Sequence, residues 1–353
     1  MLLRKFTTTT QRAVDLTHVH KLAGKLFPQP KTTKEWSKYA LSQEQCDQFH
    51  VDGFLPGIKV ANEEQVETLR QELELLYDRD HPDFAKWYAF DCDCPTEDPR
   101  DNLFHSLGAW RLSHAFHDII WSPQIRMAAY QLLGGHSFSL LHDQLFCKPA
   151  SDGGVVAWHQ DFSYWTWTKP RAHLTCWIGL DDVDESNGCL WYVPGSHRWG
   201  LLPMTGLAGS DMDTVKQVLD TEQQRQLNEN KEAAVLSAGY ATLHHPLMMH
   251  GSYGNASTRQ RRATVVNVMR EGVVSNCEGR DMGGFPSLPN GKEMSSHACY
   301  PRLVNEVEMV LMEEACGGVR NGEASVELDM EEFVRDMSEL RHRERLTEYK
   351  HLH

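Results

Sequence analysis

No stretch of the 353 residues comes near the roughly 20 consecutive apolar side chains that a membrane-spanning helix requires, so the sequence predicts no membrane span. Basic charge is scarce. There are 35 Lys and Arg against 49 Asp and Glu, a formal net charge of −14, which argues against nucleic acid or an anionic membrane surface as the main partner. The nine cysteines are odd in number and scattered. Only Cys92 and Cys94 lie close together, and a C-x-C without a second pair points neither to zinc nor to a disulfide framework. They read as the reduced thiols of an intracellular protein. A hydrophobic signal peptide is lacking, as are internal repeats and low-complexity tracts beyond four consecutive threonines at 7–10. The leading segment carries Arg4, Lys5 and Arg12 with no acid before Asp15, a composition shared by organellar transit peptides and disordered tails. The expected location is therefore cytoplasmic, with a mitochondrial or other organellar one as the alternative.

What is present is ordinary for a globular chain: 41% hydrophobic and 24% charged residues. After a basic, proline-containing lead over 1–36, Ser42-Gln43-Glu44-Gln45 and Asn62-Glu63-Glu64-Gln65 are capping boxes that start helices. The second continues with Val66, Leu69, Leu73 and Leu76 at helical spacing, a face suited to the back of a sheet. Residues 79–110 read as loop, and Ser122-Pro123 opens a helix that Gly134-Gly135 ends. Strands follow at 138–148, 155–161, 172–181, 188–193, 233–236, 241–245 and 263–269. In the first of these, Phe138, Leu140, His142, Gln144, Phe146 and Lys148 would share one face. A polar helix is predicted within 210–231, and two more helical segments at 304–314 and 330–341. The fold class this implies is mainly β, a jelly-roll (double-stranded β-helix, cupin-like) core with flanking α-helices. The expected organisation is a lead over 1–36, one domain over 37–270 and a helical extension over 271–353 packed on that domain.

The chemistry centres on Trp158-His159-Gln160-Asp161. On an extended strand, residues two apart emerge on one face, so His159 and Asp161 supply two of the three ligands of a 2-His-1-carboxylate triad, the set that holds non-heme Fe(II) and leaves three coordination positions open. A third imidazole comes from Leu243-His244-His245-Pro246-Leu247-Met248-Met249-His250-Gly251-Ser252. His244 and His245 are rivals, but the arginine spacing favours His250: Arg261 lies 11 residues beyond it, room for a turn and a return strand. A 2-oxoglutarate cosubstrate would chelate the metal at one end and need a buried cation at the other, where a guanidinium fork suits a carboxylate. Neighbours on a strand alternate faces, so only one of Arg261 and Arg262 can point inward.

Several further stretches carry a resemblance: Lys148-Pro149, His159-Gln160-Asp161, the run from Leu174 to Val183, Asn187-Gly188-Cys189-Leu190, Val193-Pro194-Gly195-Ser196-His197, and His250-Gly251-Ser252 with Asn255 and Arg261. Together they resemble the phytanoyl-CoA dioxygenase family of Fe(II)/2-oxoglutarate oxygenases over roughly 40–270. The resemblance implies iron held by His159, Asp161 and His250, with Arg261 on the distal 2-oxoglutarate carboxylate. It further implies a hydroxyl hydrogen bond from Ser252 to that carboxylate, Trp177 lining the cosubstrate and Gln144 touching it. Lys148 is a cofactor-site position that could equally face solvent at the site mouth, and His197 is expected to fix a turn. Asp161 argues for hydroxylation without halide, since related halogenases leave that carboxylate out.

The expected function is Fe(II)/2-oxoglutarate-dependent oxidation of a C–H bond in a small molecule, with dioxygen consumed and succinate and carbon dioxide released. The alternative is a non-catalytic metal- and 2-oxoglutarate-binding sensor or scaffold. Phe162, Tyr164, Trp165 and Trp167 suggest an aromatic pocket for an apolar or cationic substrate, or simply core.

Overall fold

Period-two alternation of apolar and polar residues builds two facing antiparallel sheets. They are seen in a computed structural model that describes residues 15–77, 88–91, 103–277 and 285–320, with positions 334, 335, 337 and 338. The larger sheet runs in the order β1 (Phe54–Lys59), β11 (Tyr240–His244), β7 (His173–Gly179), β13 (Arg261–Arg270), β4 (Phe138–Lys148), β3 (Phe104–Leu107) and β2 (Tyr88–Asp91). The smaller runs β10 (Glu232–Ala234), β8 (Leu190–Tyr192), β12 (His250–Ser252), β5 (Val155–His159) and β9 (Ala208–Gly209). A two-stranded ribbon pairs β6 (Thr168–Lys169) with β14 (Val274–Ser275). This is the jelly-roll layering expected from the strand pattern.

On the central strands the side chains sort cleanly by face. Cys176 and Ile178 of β7, Val266 of β13, Leu145 and Cys147 of β4 and Leu243 of β11 join the main apolar core outside the large sheet. Val66, Leu69 and Leu73 of α3 (Glu63–Leu76) and Ile125, Met127 and Ala128 of α5 (Pro123–Leu132) cover that face. Burying a side chain of this size is worth about 1.5–3 kcal/mol. The opposite face carries His173, Thr175, Trp177, Asn267, Val265, Arg261, Gln144, His142 and His244 toward the small sheet.

The helix starts are as the sequence predicts. Ser42 and Asn62 close complete capping boxes at α2 (Gln43–Asp52) and α3. The polar helix of the insertion is α6 (Thr221–Glu229), shorter than expected, and the C-terminal one is α7 (Glu306–Cys316). Arg126 of α5, 1% exposed, ties α7 to the body through Glu308 at 2.5 Å and lies over the rings of Trp36 and Trp121. The expected helix at 330–341 falls almost wholly outside the described residues, as do Cys92, Cys94 and the leading fourteen residues. The seven described cysteines are free thiols, and no described helix is long and apolar enough to cross a membrane.

Three expectations need correction. The loop predicted over 79–110 contains the β2–β3 hairpin. Strand β4 does not keep one inward face: the register against β13 jumps between Asn267 and Val268, pairing His142 and then Leu140. Leu141 is the extra residue of that bulge, so Phe138 and Leu140 turn to the helix-covered core while Leu141 joins the aromatic cluster. Finally, Asp161 is not on a strand. β5 stops at His159, and Asp161 opens a 3₁₀ turn that runs to Tyr164.

Candidate active site

Two strands of the small sheet bring the histidines together. His250 opens β12 directly opposite His159, the last residue of β5. Gly251 makes this pairing possible: a Cβ there would lie 2.5 Å from Met212 Cε, 2.9 Å from the Val156 carbonyl oxygen and 3.2 Å from the Trp158 nitrogen. The Val-Pro-Gly-Ser-His motif works on the same element, because Ser196 Oγ accepts the Met249 N–H at 2.9 Å, one residue before His250. Between the two ligand candidates, Gln160 pins the turn: its amide donates to the Gly200 and Leu247 carbonyls and its oxygen accepts from Leu202 N–H.

Both histidines are oriented by their own backbone. Nδ1 of His159 donates to the Ala157 carbonyl at 2.8 Å and Nδ1 of His250 to the Met248 carbonyl at 2.9 Å. That leaves each Nε2 as a lone-pair donor, the tautomer a metal needs. The two Nε2 atoms lie 3.5 and 3.7 Å from Asp161 Oδ1. One ligand atom from each of the three residues falls within 4.8 Å of the others. Burial, then the nearby His159 and His244 imidazoles, hold His250 well below its ordinary pKa, in the neutral form. Burial acts to raise Asp161, but its neighbours His250, His159 and His244 outweigh it and keep the carboxyl well below its usual range. Two imidazoles that present Nε2 and one ionised carboxylate, converging on one point, are a donor set that fits Fe(II).

Asp161 Oδ2 is held from behind, accepting from Thr175 Oγ1 at 2.6 Å and from His244 Nε2 at 3.1 Å. His244 is therefore no rival ligand: its Nε2 is committed to the carboxylate, and Nδ1 meets the Tyr192 hydroxyl at 2.9 Å. His245 and His197 pack against each other, 5.2 Å apart, with His197 filling the space over Gly53.

Most of the positions expected to meet the cosubstrate gather around Arg261. Arg261 points inward and is 1% exposed, while Arg262 turns outward to Asp181 at 2.7 Å. Arg261 lies over the Trp177 ring at 5.5 Å and donates to the Phe146 carbonyl at 3.2 Å and Ser252 Oγ at 3.3 Å. Its Nε meets no acceptor, and no described carboxylate pairs with it. Burial pulls its pKa down to about 10. A guanidinium this deep without an anion is unfavourable by itself, and a bound carboxylate would relieve it. Ser252 spends its hydroxyl proton on the Gly188 carbonyl at 2.9 Å, whose residue sits at φ +85° with a Cβ position 2.8 Å from the Tyr253 oxygen. Lys148 does not face solvent. It is 1% exposed, pairs with Arg261 in the ladder, and gives its ammonium to the Ser252 and Tyr253 carbonyls. Gln144 Oε1 accepts from His105 Nε2 at 2.8 Å, and that ring stacks on Phe146.

The aromatic run after the turn is mostly core: Phe162, Trp165 and Trp167 are buried with Leu201, Leu247 and Tyr300. Tyr164 alone meets a ligand candidate, edge-on to His159 at 5.9 Å. The sequence assigns no role to Thr175, Tyr192 or Gln160. Thr175 had a signal, since it lies two residues before Trp177 on the same strand face.

Residues 49–263 match the phytanoyl-CoA dioxygenase (PhyH) family. The chain is 24% identical over 269 residues to a phytanoyl-CoA dioxygenase of Arabidopsis thaliana, spanning 65% of this chain and 89% of that one. It is 30% identical over 247 residues to ectoine dioxygenase of Halomonas elongata, spanning 66% of this chain and 71% of that one. A solved non-heme alpha ketoglutarate dependent carbocyclase from nogalamycin biosynthesis shares the fold, with a TM-score of 0.61 at 21% identity over 78% of this chain and 100% of the other.

Proposed function

Because the chain belongs to the phytanoyl-CoA dioxygenase family, whose members are Fe(II)/2-oxoglutarate-dependent dioxygenases, we propose that His159, Asp161 and His250 are its iron ligands and Arg261 its anchor for 2-oxoglutarate. When bound, Fe(II) with 2-oxoglutarate and dioxygen supplies the oxidising power that hydroxylates or otherwise oxidises a C–H bond of a small organic molecule, releasing succinate and carbon dioxide.

The rest is the work of this chain's own groups. The backbone carbonyls of Ala157 and Met248 hold both imidazoles in the Nε2-donor tautomer. Arg261, laid on Trp177 and fixed by Phe146 and Ser252, offers a planar fork to the far carboxylate. Lys148, beside Arg261 in the ladder, adds positive charge behind it and shapes the floor through Ser252 and Tyr253. Gln144 and Trp177 form the inward wall along which the cosubstrate would lie. The walls are largely buried, which keeps water from the reacting bond. The free thiols among the described residues support an intracellular setting, and the Arg126–Glu308 pair between α5 and α7 supports one folded unit that includes the described part of the C-terminal extension.

The observation that carries the reading is the convergence of two Nε2 atoms on Asp161 Oδ1 at 3.5 and 3.7 Å. Anaerobic equilibrium binding of Fe(II) tests it. Alanine at 159, 161 or 250 should each weaken the metal by at least about a hundredfold, and alanine at 245 should not. Equal binding by all four variants would refute the assignment.

A further inference from the structure

We propose that His244, backed by Tyr192 and assisted by Thr175, is a positioning residue that makes Asp161 a one-oxygen ligand. The inference rests on the reading of His159, Asp161 and His250 as metal ligands and adds residues that touch the metal only through Asp161.

The two carboxylate oxygens of Asp161 have different surroundings. Oδ1 faces the Nε2 atoms of His159 and His250. Oδ2 is turned the other way, into donors from two neighbouring strands of the large sheet: Thr175 Oγ1 at 2.6 Å from β7 and His244 Nε2 at 3.1 Å from β11. These donors are a matched pair, since Thr175 and His244 are ladder partners. The chain continues from His244 Nδ1 to the Tyr192 hydroxyl at 2.9 Å. A neutral ring satisfies every member when Tyr192 O–H donates to Nδ1 and His244 Nε2–H donates to Oδ2. Tyr192 crosses from β8 of the small sheet and stacks on Phe54 of β1, with centroids 4.4 Å apart and planes 17° apart. The chain thus spans both sheets, and its members Tyr192, His244 and Thr175 are 0%, 1% and 3% exposed.

The consequence is geometric. A carboxylate free to rotate can chelate through both oxygens and occupy two positions on a metal. With Oδ2 held by two donors, only Oδ1 is offered, and three positions remain for a chelating oxoacid and dioxygen. A side chain that merely filled space beside Asp161 would need neither a fixed tautomer nor a phenol behind it.

The test uses full-length protein and Co(II), followed anaerobically by its visible d–d absorption. His244→Leu removes the donor and His244→Gln keeps an N–H able to reach Oδ2; Thr175→Val and Tyr192→Phe remove only hydroxyls, and thermal melting confirms folding. We expect H244L to bind Co(II) about 10- to 100-fold more weakly with an altered d–d spectrum, and H244Q to recover affinity to within about threefold of the parent. T175V should weaken binding in the same direction and Y192F by less. If H244L does not fold, T175V and Y192F decide the matter alone. Affinity in H244L within twofold of the parent would overturn the proposal. So would equal losses and unchanged spectra in H244L and H244Q, the signature of packing alone. His159→Ala serves as control. If it also binds Co(II) like the parent, the ligand assignment has failed rather than the role of His244.

Discussion

Replacing Arg261 by methionine should weaken 2-oxoglutarate binding at least about thirtyfold without destabilising the protein measured in the absence of 2-oxoglutarate. Burial lowers the guanidinium to about 10, a penalty on the order of 3 kcal/mol at ~1.4 kcal/mol per pH unit. The charge persists in folded and unfolded chains at any pH below that value, so the penalty is constant across the working range. Against it stand two long hydrogen bonds, to Phe146 at 3.2 Å and Ser252 at 3.3 Å, worth about 1 kcal/mol each. The cation–π contact with Trp177 adds about 1 kcal/mol. Methionine keeps the apolar stem against that ring and leaves no buried charge, so gains and losses cancel to within about 1 kcal/mol. For 2-oxoglutarate the balance is one-sided: losing one member of a buried charge pair costs about 2–5 kcal/mol, between roughly thirtyfold and several thousandfold in affinity. Scanning calorimetry of the metal-loaded protein reads both quantities. At 2-oxoglutarate one hundred times its dissociation constant for the parent, the parent should gain about 2.7 kcal/mol and Arg261→Met less than about 1 kcal/mol. A variant that melts several degrees lower without 2-oxoglutarate, yet keeps the parental gain with it, would refute this reasoning.

Acid should unfold the protein steeply. Burial holds His105 and His197 down to about 4, and His142 and His173 to about 3, against about 6.5 in an unfolded chain. Their contribution is present above that unfolded value and is lost as pH falls toward the folded ones. Asp143, raised by burial to about 6, takes up a proton on folding and offsets roughly one of the four. Stability measured by denaturant titration should therefore fall by at least about 4 kcal/mol per pH unit near pH 5.5, since burial also holds His245 and His250 down, and a flat profile there would contradict it. Glu308→Ala strands the Arg126 guanidinium, 1% exposed, and should cost about 3–5 kcal/mol in denaturant unfolding. Adding Arg126→Met should restore most of it. Gly251→Ala puts a methyl 2.9 Å from the Val156 carbonyl and 3.2 Å from the Trp158 nitrogen, where backbone cannot yield. Co(II) affinity should drop about tenfold as β12 and His250 shift.

His159, Asp161 and His250, which the structure brings together, were legible because each stands in a short local pattern. His159 and Asp161 stand two apart, although Asp161 reaches the cluster from a 3₁₀ turn and not from the strand, His250 precedes a glycine, and of two adjacent arginines one had to face in. The capping boxes at Ser42 and Asn62 were legible for the same reason, since a helix start is decided within four residues. What escaped depends on contacts made across the fold. The bulge at Leu141 is set by its pairing with β13, so alternation alone carried Phe138 and Leu140 to the wrong face. The β2–β3 hairpin lies in a stretch rich in Asp and Pro, where turn residues hide short strands. Lys148 resembled a solvent-seeking lysine until the Ser252 and Tyr253 carbonyls were seen to bury it. His244 was counted as a rival ligand because a sequence displays an imidazole but not the hydroxyl of Tyr192 behind it. The Val-Pro-Gly-Ser-His motif was recognisable as a string, yet its work, Ser196 holding the backbone beside His250, is visible only in three dimensions.

The most direct test of the central claim is an anaerobic titration of the purified protein with Fe(II) and then 2-oxoglutarate, watching for the weak visible charge-transfer absorption of the chelate. The band should appear in the parent, be lost in His159→Ala and weaken in Arg261→Met at equal 2-oxoglutarate. Folded, iron-loaded protein that shows no band, or a band indifferent to both substitutions, would contradict it.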